Sequence, residues 1–179
     1  MPSSYKLLNH VFIIGMPGSG KSSLANKLLS SFGLPIIDID ALIVQEEAQS
    51  IAELWKNQGA FYFRLKERMA LFNVLASEPK IVATGGGLPC HFNNSFLMSD
   101  CYSVFLNVEV NELVLRNTKT KNPLFTSEPM EGQITTLLNR RMVYYERANH
   151  VLVAEDNLDV LANNFLNLLL IDGILQSNV

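Results

Sequence analysis

Residues 15–22 read Gly-Met-Pro-Gly-Ser-Gly-Lys-Ser and fit the pattern G-x-x-x-x-G-K-[ST]. In this pattern the glycines let backbone N–H groups turn around phosphate oxygens, Lys21 adds a positive charge, and Ser22 offers its hydroxyl to Mg²⁺. The helical segment that follows points its positive end at the same anion. The stretch predicts a nucleoside triphosphate site rather than a glycine-rich turn that binds nothing. The predicted nucleotide-binding residues are Gly15, Gly18, Ser19, Gly20, Lys21 and Ser22 of this stretch and Ser23, which follows it.

Around this stretch, short apolar runs alternate with longer segments of helical period. The predicted strands are 11–15, 34–40, 80–85, 103–108 and 150–154. The predicted helices are 20–32, 60–76, 109–118, 130–149 and 158–176, with short ones at 40–48 and 51–57. Strands this apolar are typical of parallel sheets that are buried on both faces. We therefore expect an α/β fold of the P-loop NTPase kind, with helices on both faces of a five-stranded parallel sheet.

The overall composition excludes several classes of protein. Apolar residues make up 48% of the 179 residues, which excludes disordered and collagen-like chains. The net charge of −3 leaves no broad cationic face for a nucleic acid. Two isolated cysteines make neither a disulfide framework nor a zinc site, and no apolar stretch suits a signal peptide or a membrane span. We expect a cytoplasmic monomer of one domain, residues 1–179, with no nucleic-acid or membrane partner.

Two features fall where the predicted strands end, which is where parallel α/β sheets bind ligands. The second strand ends at Asp38-Ile39-Asp40, and the two carboxylates share one face of an extended chain. One could hold a metal-bound water while the other accepts a proton from a hydroxyl. Alternatively, Asp40 caps a helix over 41–48. The third strand ends at residues 85–87, Gly-Gly-Gly, which either admit a ligand to the main chain or form an ordinary flexible turn.

Arginines provide candidate contacts for an anionic substrate. Arg64 lies in one predicted helix, and Arg140 and Arg141 lie in a later one. The planar fork of arginine suits a carboxylate or a phosphate, although a solvated surface position is the alternative for each, and Glu67 could pair with Arg64 across one helical turn. The basic loop 116–123 either closes over phosphates or is a plain surface loop. Because the guanine-reading N-K-x-D tetrapeptide is missing, a small phosphotransferase is the natural expectation.

Taken together, these motifs resemble the shikimate kinase family from about residue 10 to about residue 165. The resemblance rests on five motifs. They are the phosphate-binding stretch of residues 15–22, here called the cradle, the D-x-D of residues 38–40, the F-R-x-x-E of residues 63–67, the G-G-G of residues 85–87 and the R-x-x-x-Y-x-x-x-A of residues 140–148. It implies a nucleoside-monophosphate-kinase-like fold and transfer of the γ-phosphoryl group of ATP to the 3-hydroxyl of shikimate. It also implies that 41–60 with 61–77 form the substrate-binding subdomain and that 116–128 form a lid.

The resemblance assigns the nucleotide side of the reaction to four residues. Lys21 would stabilise the phosphoryl group in flight. Ser22 and Asp38 would hold Mg²⁺, the latter through water. Arg116 would lie against the adenine of ATP.

The acceptor side follows in the same way from the family pattern. Asp40 would bind the acceptor hydroxyl and is the candidate base. Arg64 and Arg140 would grip the carboxylate of shikimate. Gly86 and Gly87 would supply main-chain contacts.

The chain departs from the family pattern in its lid. The family's lid usually carries R-P-L-L, whose arginine reaches the ATP phosphates, whereas residues 122–125 here read Asn-Pro-Leu-Phe. Lys121 could supply the charge, but lysine lacks the fork, so we expect a weaker grip on ATP or a slower turnover. Arg141 competes with Arg140 for the carboxylate, and the spacing to Ala148 favours Arg140.

Two other functions fit parts of the sequence. A gluconate-kinase-like enzyme on the same fold also needs a P-loop, an aspartate after the second strand and arginines. A nucleotide-binding regulatory protein without transfer activity is supported only by the missing lid arginine. The G-G-G and F-R-x-x-E elements favour shikimate over gluconate.

Overall fold

A computed structural model of the chain describes residues 5–120, 122, 124–125 and 129–177. Its strands are β1 (Tyr5–Leu7), β2 (Val11–Ile14), β3 (Ile36–Asp38), β4 (Ile81–Ala83), β5 (Tyr102–Asn107), β6 (His150–Val153) and β7 (Leu175–Ser177). Its α-helices are α1 (Lys21–Phe32), α2 (Ile39–Glu47), α3 (Ile51–Leu75), α4 (Asn94–Leu97), α5 (Val110–Thr120), α6 (Met130–Tyr145) and α7 (Leu158–Ile171), with a 3₁₀ turn at Leu88–Cys90.

The central sheet has five parallel strands in the order β3-β4-β2-β5-β6. The expected α/β architecture is therefore confirmed. Strand β2 lies in the middle, where Ile13 faces Ala83 of β4 on one side and Val104 of β5 on the other. The segments that follow β2, β3 and β4 all leave the same edge of the sheet, and these segments carry the sequence motifs.

Each face of the sheet packs on its own layer of helices, because successive side chains of a strand point to opposite faces. Val11 and Ile13 pack in a cluster with residues of α1 and α7. Phe12 and Ile14 pack in a second cluster with residues of α3 and α6. All four side chains are at most 2% exposed, which is why β2 reads as an unbroken apolar run.

The C-terminal part of the chain differs from the prediction of one helix over 158–176. Helix α7 ends at Ile171, and Gly173 then adopts a φ of 67°, a left-handed conformation that favours glycine. The chain continues as β7, which pairs antiparallel with β1 so that Tyr5 faces Ser177. Within the described ranges, no helix has both the length and the apolar character that crossing a membrane requires.

Other element boundaries also differ from the sequence prediction. The predicted strand 34–40 ends at Asp38 because α2 begins at Ile39, and α6 stops at Tyr145 rather than at residue 149. The two helices predicted over 51–57 and 60–76 form α3. Gly59 interrupts α3 with a φ of 81° and a ψ of 168°, so the predicted break is confirmed.

Candidate active site

A cavity of about 1020 Å³ opens at the carboxyl edge of the sheet. It brings together residues from the segments after β2, β3 and β4, and from helices α3, α5 and α6. Its polar and glycine lining comprises Gly18, Ser19, Gly20, Lys21, Ser22, Ser23, Asp40, Arg64, Glu67, Thr84, Gly85, Gly86, Gly87, Arg116, Lys119, Thr120, Asn122, Arg141, Glu155 and Asp156. Residues far apart in the sequence thus meet where parallel α/β sheets bind their ligands.

Lys21 lies buried within the predicted phosphate cradle. Its Nζ donates to the carbonyl oxygens of Met16 at 2.7 Å and Gly15 at 3.1 Å, and it lies 3.2 Å from Oγ of Ser19. Burial lowers the pKa of Lys21 to about 8, even though the nearby Asp40 carboxylate favours the charged lysine. A phosphate beside Nζ would favour the charged lysine further.

Helix α1 begins directly after the cradle and offers free backbone donors. Gly20 precedes the helix with a φ of 97°, and no described side chain caps the helix there. The first N–H groups of a helix have no partner inside it, so they are available to an anion in the cavity. Ser22 and Ser23 lie exposed on this first turn. Gly15, the first residue of the cradle, is buried, and a methyl group on it would lie 2.7 Å from the carbonyl oxygen of Leu106.

Arg116, on α5, lies against the cradle rather than in solvent. One Nη donates to the carbonyl oxygen of Ser19 at 3.2 Å, and Nε donates to Oε1 of Glu112 at 2.7 Å. The same end of the cavity is lined by residues that follow β6, among them Ala154 and Leu158.

Asp38, the last residue of β3, and Asp40, in the first turn of α2, have different roles in the fold. Asp38 is the N-cap of α2, where its Oδ1 accepts from the N–H of Ala41 at 3.1 Å. The alternative that Asp40 caps this helix is therefore excluded, because α2 begins at Ile39 and Asp40 lies in its first turn. Asp40 instead turns into the cavity, and burial, reinforced by the Asp38 carboxylate, raises its pKa.

Arg64 enters the cavity from α3 and is held on several sides. One Nη donates to Oε2 of Glu67 over 2.6 Å, and both side chains are buried. The guanidinium also lies 5.5 Å from the ring centre of Trp55 and 5.2 Å from that of Phe63. Such cation–π contacts orient an arginine and stabilise its charge. The alternative of a solvated surface arginine is thereby excluded for Arg64.

Asp40 and Glu67 approach each other at Gly85. A methyl group placed on Gly85 would lie 2.5 Å from Oε1 of Glu67 and 2.7 Å from Oδ1 of Asp40. Both oxygens are buried and have no hydrogen-bond partner among the described residues. Burial raises the pKa of Glu67 to about 7, against the opposing effect of Arg64. The cavity therefore contains two acceptor oxygens that a hydroxyl group could satisfy.

The structure places Arg141, and not Arg140, in this cavity. Arg141 is 7% exposed, and one of its Nη atoms is buried without a partner among the described residues. Arg140 is exposed and lines a separate hollow with Gln133 and Leu137. Consecutive helical residues point about 100° apart, so only one of the two arginines can face the sheet. The sequence preference for Arg140 is wrong on this point.

Gly86 and Gly87 leave space for the two arginines. A methyl group on Gly86 would lie 3.0 Å from an Nη of Arg141, and one on Gly87 would lie 2.6 Å from an Nη of Arg64. Tyr145 fixes this turn, because its hydroxyl donates to the carbonyl oxygen of Gly86 at 2.6 Å. Any side chain at either glycine would displace a guanidinium group.

The lid residues are described only in part. Asn122 donates through Nδ2 to Oδ1 of Asn117 at 2.8 Å, and Phe125 is buried in the core. Lys121, the suggested substitute for the lid arginine, lies outside the described residues, as does Pro123.

Two oxygen donors are expected to hold Mg²⁺, of which one lines the cavity and the other, on Asp38, does not, although the charge of Asp38 acts on Lys21. They are the hydroxyl of Ser22 and the carboxylate of Asp38, of which one oxygen already accepts from Ala41. In the part of the chain that the structure describes, no three His, Cys, Asp or Glu side chains group closely enough to bind a metal ion by themselves. Mg²⁺ needs only one or two protein oxygens when it arrives with substrate phosphates, so this donor set fits it.

Sequence reasoning missed some residues of this site. Glu67 was expected only as a partner for Arg64, and the ion pair is confirmed, but its second oxygen also faces Asp40. Helical periodicity contained a signal for Arg141, since Ile134, Arg141 and Tyr145 are the buried residues of α6 and lie on one face of it.

Comparisons with known proteins agree with this geometry. A sequence model of the shikimate kinase family matches residues 17–169. A shikimate kinase of Phocaeicola vulgatus is 34% identical over 155 residues, which are 83% of this chain and 89% of that protein. A shikimate kinase of Flavobacterium johnsoniae is 34% identical over 172 residues, which are 90% of this chain and 99% of that protein.

A solved structure extends the similarity to three dimensions. Shikimate kinase from Acinetobacter baumannii, in complex with shikimate, superimposes with a TM-score of 0.86 at 25% identity and covers 92% of this chain and 94% of its own. The family model spans most of the chain, and the relatives match it nearly from end to end. The chain belongs to the shikimate kinase family.

Proposed function

We propose that the chain transfers the γ-phosphoryl group of ATP to the 3-hydroxyl of shikimate. The observation that carries this proposal is the convergence of Arg64, Arg141 and Asp40 in one cavity with the Lys21 cradle. The two guanidinium groups can bind a carboxylate of the acceptor, and the Asp40 carboxylate can accept the proton of its hydroxyl group. The cradle can bind the triphosphate of the nucleotide. The relative from Acinetobacter baumannii was solved with shikimate, which supports the same acceptor here.

Arg64 and Arg141 bind the carboxylate of the acceptor. Both guanidinium groups are buried, so a carboxylate between them forms charge-assisted hydrogen bonds that water screens poorly. The unpartnered Nη of Arg141 has a free donor for this purpose. Gly86 and Gly87 bring the main chain close to the acid, because they place no side chain between it and the arginines.

Asp40 positions the acceptor hydroxyl and takes its proton. Its Oδ1 is buried and unpartnered among the described residues, and its raised pKa makes it a stronger base than an exposed aspartate. As the hydroxyl oxygen forms a bond to the γ-phosphorus, the proton passes to the Asp40 carboxylate. The bond between the γ-phosphorus and its bridging oxygen breaks, and the electron pair stays on ADP.

Lys21 and the first turn of α1 stabilise the transferring group. Lys21 gives up its contacts to the carbonyl oxygens of Gly15 and Met16 and directs its charge to the phosphoryl oxygens. Ser22 and, through water, Asp38 would hold Mg²⁺, which would neutralise charge on the phosphates. Arg116 contacts the adenine from its position on α5.

The remaining parts of the chain complete the enzyme. We propose that it is one kinase domain, in which 41–60 with 61–77 bind the acid and 116–128 form the lid. The net charge of −3 offers neither nucleic acid nor an anionic membrane a cationic face. A cytoplasmic monomer is the simplest assembly for such an enzyme.

The decisive experiment measures ADP release from Mg·ATP with and without shikimate, with gluconate in parallel. Acceleration by shikimate alone is the expected result. Acceleration by gluconate alone would replace the acceptor while keeping the site. If neither acid acts while ADP still binds, the chain is a nucleotide-binding regulator and the proposed transfer is overturned.

A further inference from the structure

Asn117 is a buried residue on the last turns of α5, and no sequence motif assigned it a role. It is 0% exposed, and both polar atoms of its side chain form hydrogen bonds. Nδ2 donates to the carbonyl oxygen of Leu113 at 2.8 Å, four residues earlier in the helix, and to that of Pro17 at 3.1 Å. Oδ1 accepts from Nδ2 of Asn122 at 2.8 Å.

These partners fix the orientation of both amide groups. The atom of Asn117 that faces two carbonyl oxygens must be the nitrogen, because an oxygen there would repel both. Oδ1 therefore faces Asn122, whose own Oδ1 accepts from the N–H of Leu124 at 3.0 Å. The N–H of Asn122 also donates to the carbonyl oxygen of Asn117 at 3.1 Å.

The contact with Pro17 determines how one peptide unit of the cradle is turned. In a planar trans peptide the C=O and N–H point in opposite directions. Since the Asn117 amide holds the C=O of Pro17, the N–H of Gly18 points away from that amide, and Gly18 itself lines the cavity. Arg116 holds the C=O of Ser19 in the same way. Two consecutive residues of α5 thus aim two donors of the cradle.

Packing reinforces this arrangement. A methyl group on Gly18 would lie 2.6 Å from Nδ2 of Asn117, so cradle and helix are in direct contact. Asn122 occupies the position where the family's lid usually has an arginine that reaches the phosphates. In this chain that position contacts Asn117 instead.

We propose that Asn117 is a positioning residue for the nucleotide and that Asn122 acts on the cradle through it. Asn117 turns the N–H of Gly18 toward the β-phosphate, and the bond from Asn122 holds the Asn117 amide in place. A neutral pair of amides thereby links the lid to the cradle where the family uses an ionic contact. The proposal rests on the proposed function only in taking ADP and ATP as the nucleotides.

The test measures the dissociation constant of Mg·ADP by calorimetry for Asn117→Ala, Asn122→Ala and the double variant. Losing a buried hydrogen bond costs a factor of about ten in binding, and losing the supporting one about threefold. Because Asn122 acts through Asn117, the double variant should bind ADP no more weakly than Asn117→Ala alone. The KM for shikimate should stay within twofold of that of the parent chain.

A matched control is Asn163→Ala on α7. Nδ2 of Asn163 donates to the carbonyl oxygen of Asp159 at 2.9 Å, the same bond within a helix that Asn117 makes to Leu113, and it does not touch the cradle. If Asn117→Ala fails to fold, Asn117→Ser replaces it, since serine can keep the bond within the helix but cannot reach Pro17.

Three results would overturn the proposal. They are an ADP affinity within twofold of the parent in a folded Asn117 variant, multiplicative losses in the double variant, and a KM for shikimate that rises as much as the ADP constant. ADP binding needs no acid, so the test holds even if shikimate does not accelerate ADP release.

Discussion

Nη1 of Arg64 lies 2.6 Å from Oε2 of Glu67, and neither side chain has more than 11% of its surface exposed. A buried ion pair fixes a guanidinium group at a defined position, and removing one partner leaves the other charge unpaired. Glu67→Gln preserves the volume but removes the charge, so we expect the KM for shikimate to rise about tenfold. Steady-state kinetics check this. Glu47→Gln, which removes the pair with Lys66 outside the cavity, should leave that KM unchanged.

Glu67 also predicts a pH dependence of stability. Its pKa, raised by burial to about 7, means that the folded chain keeps a proton that the unfolded chain releases above pH 4.5. The stability due to this proton is complete below pH 4.5 and is lost as the pH rises through 7. Denaturant titrations at pH 5 and pH 8 should show that difference in the parent and not in Glu67→Gln. An equal difference in both would rule out Glu67 as its source.

Asp40→Asn should separate binding from chemistry. The variant keeps the shape of the side chain but cannot accept a proton, so kcat should fall by a factor of about 10² to 10⁴. The dissociation constant of Mg·ADP should change little, since the cradle is intact. Calorimetry and turnover on the same preparation check both, and unchanged turnover would remove Asp40 from the mechanism.

The adjacent arginines Arg140 and Arg141 form a matched pair. Arg141→Ala removes a buried donor to the acid, so the KM for shikimate should rise about 100-fold. Arg140→Ala changes an exposed residue and should leave that KM within about twofold of the parent. A larger rise in KM for Arg140→Ala than for Arg141→Ala would show that Arg140 binds the carboxylate, as the motif spacing predicts, and would contradict the assignment to Arg141.

His10 predicts a loss of stability at low pH. Its Nδ1 accepts from the N–H of Lys80 at 3.2 Å, so the ring proton lies on Nε2, which contacts the carbonyl oxygen of Ser77 at 3.2 Å. Burial lowers the pKa of His10 below 6.5. The stability that neutral His10 contributes is present above pH 6.5 and is lost as the pH falls through the lowered pKa. His10→Gln should reduce this loss in denaturant titrations between pH 7 and pH 5, and an unchanged pH profile would contradict the assignment.

Cys90 should be a slow nucleophile despite its position near the cavity. Burial raises the pKa of its thiol to about 11, so only about one thiol in a thousand is ionised at pH 8. A disulfide reagent at pH 8 should modify Cys101→Ser far more slowly in the folded state than in denaturant. Equal rates would show an activated thiol.

Sequence reasoning succeeded where the signal is local. Residues 15–22 contain every glycine, lysine and hydroxyl that the cradle needs, and the buried run of β2 fixes its position in a parallel sheet. Because β2, β3 and β4 are parallel, the residues at their carboxyl ends meet at one edge of the sheet, and the order of predicted elements is enough to predict this. The separate helices predicted over 51–57 and 60–76 likewise leave the interruption at Gly59 between them.

The failures arise where distant packing decides. Arg141 faces the cavity because α6 packs through Ile134 and Tyr145, and Tyr145 stacks on Phe105 of β5 with ring centres 4.9 Å apart. The spacing of residues within a motif contains no information on the packing of α6 or on the stacking of Tyr145 on Phe105. The bond of Asn117 to Pro17 joins segments 100 residues apart, whose proximity the sequence does not reveal. The strand β7 depends on a partner at the other end of the chain.

The pairing of β1 with β7 makes residues 5 and 177 close neighbours, about 5 Å apart across the ladder. Neither strand contributes a residue to the lining of the cavity. A short peptide joining residue 5 to residue 177 would close this part of the backbone into a ring with little strain. Such a ring would lower the entropy of the unfolded chain without touching a single catalytic group. It would also allow circular permutation, with new ends opened in an exposed loop.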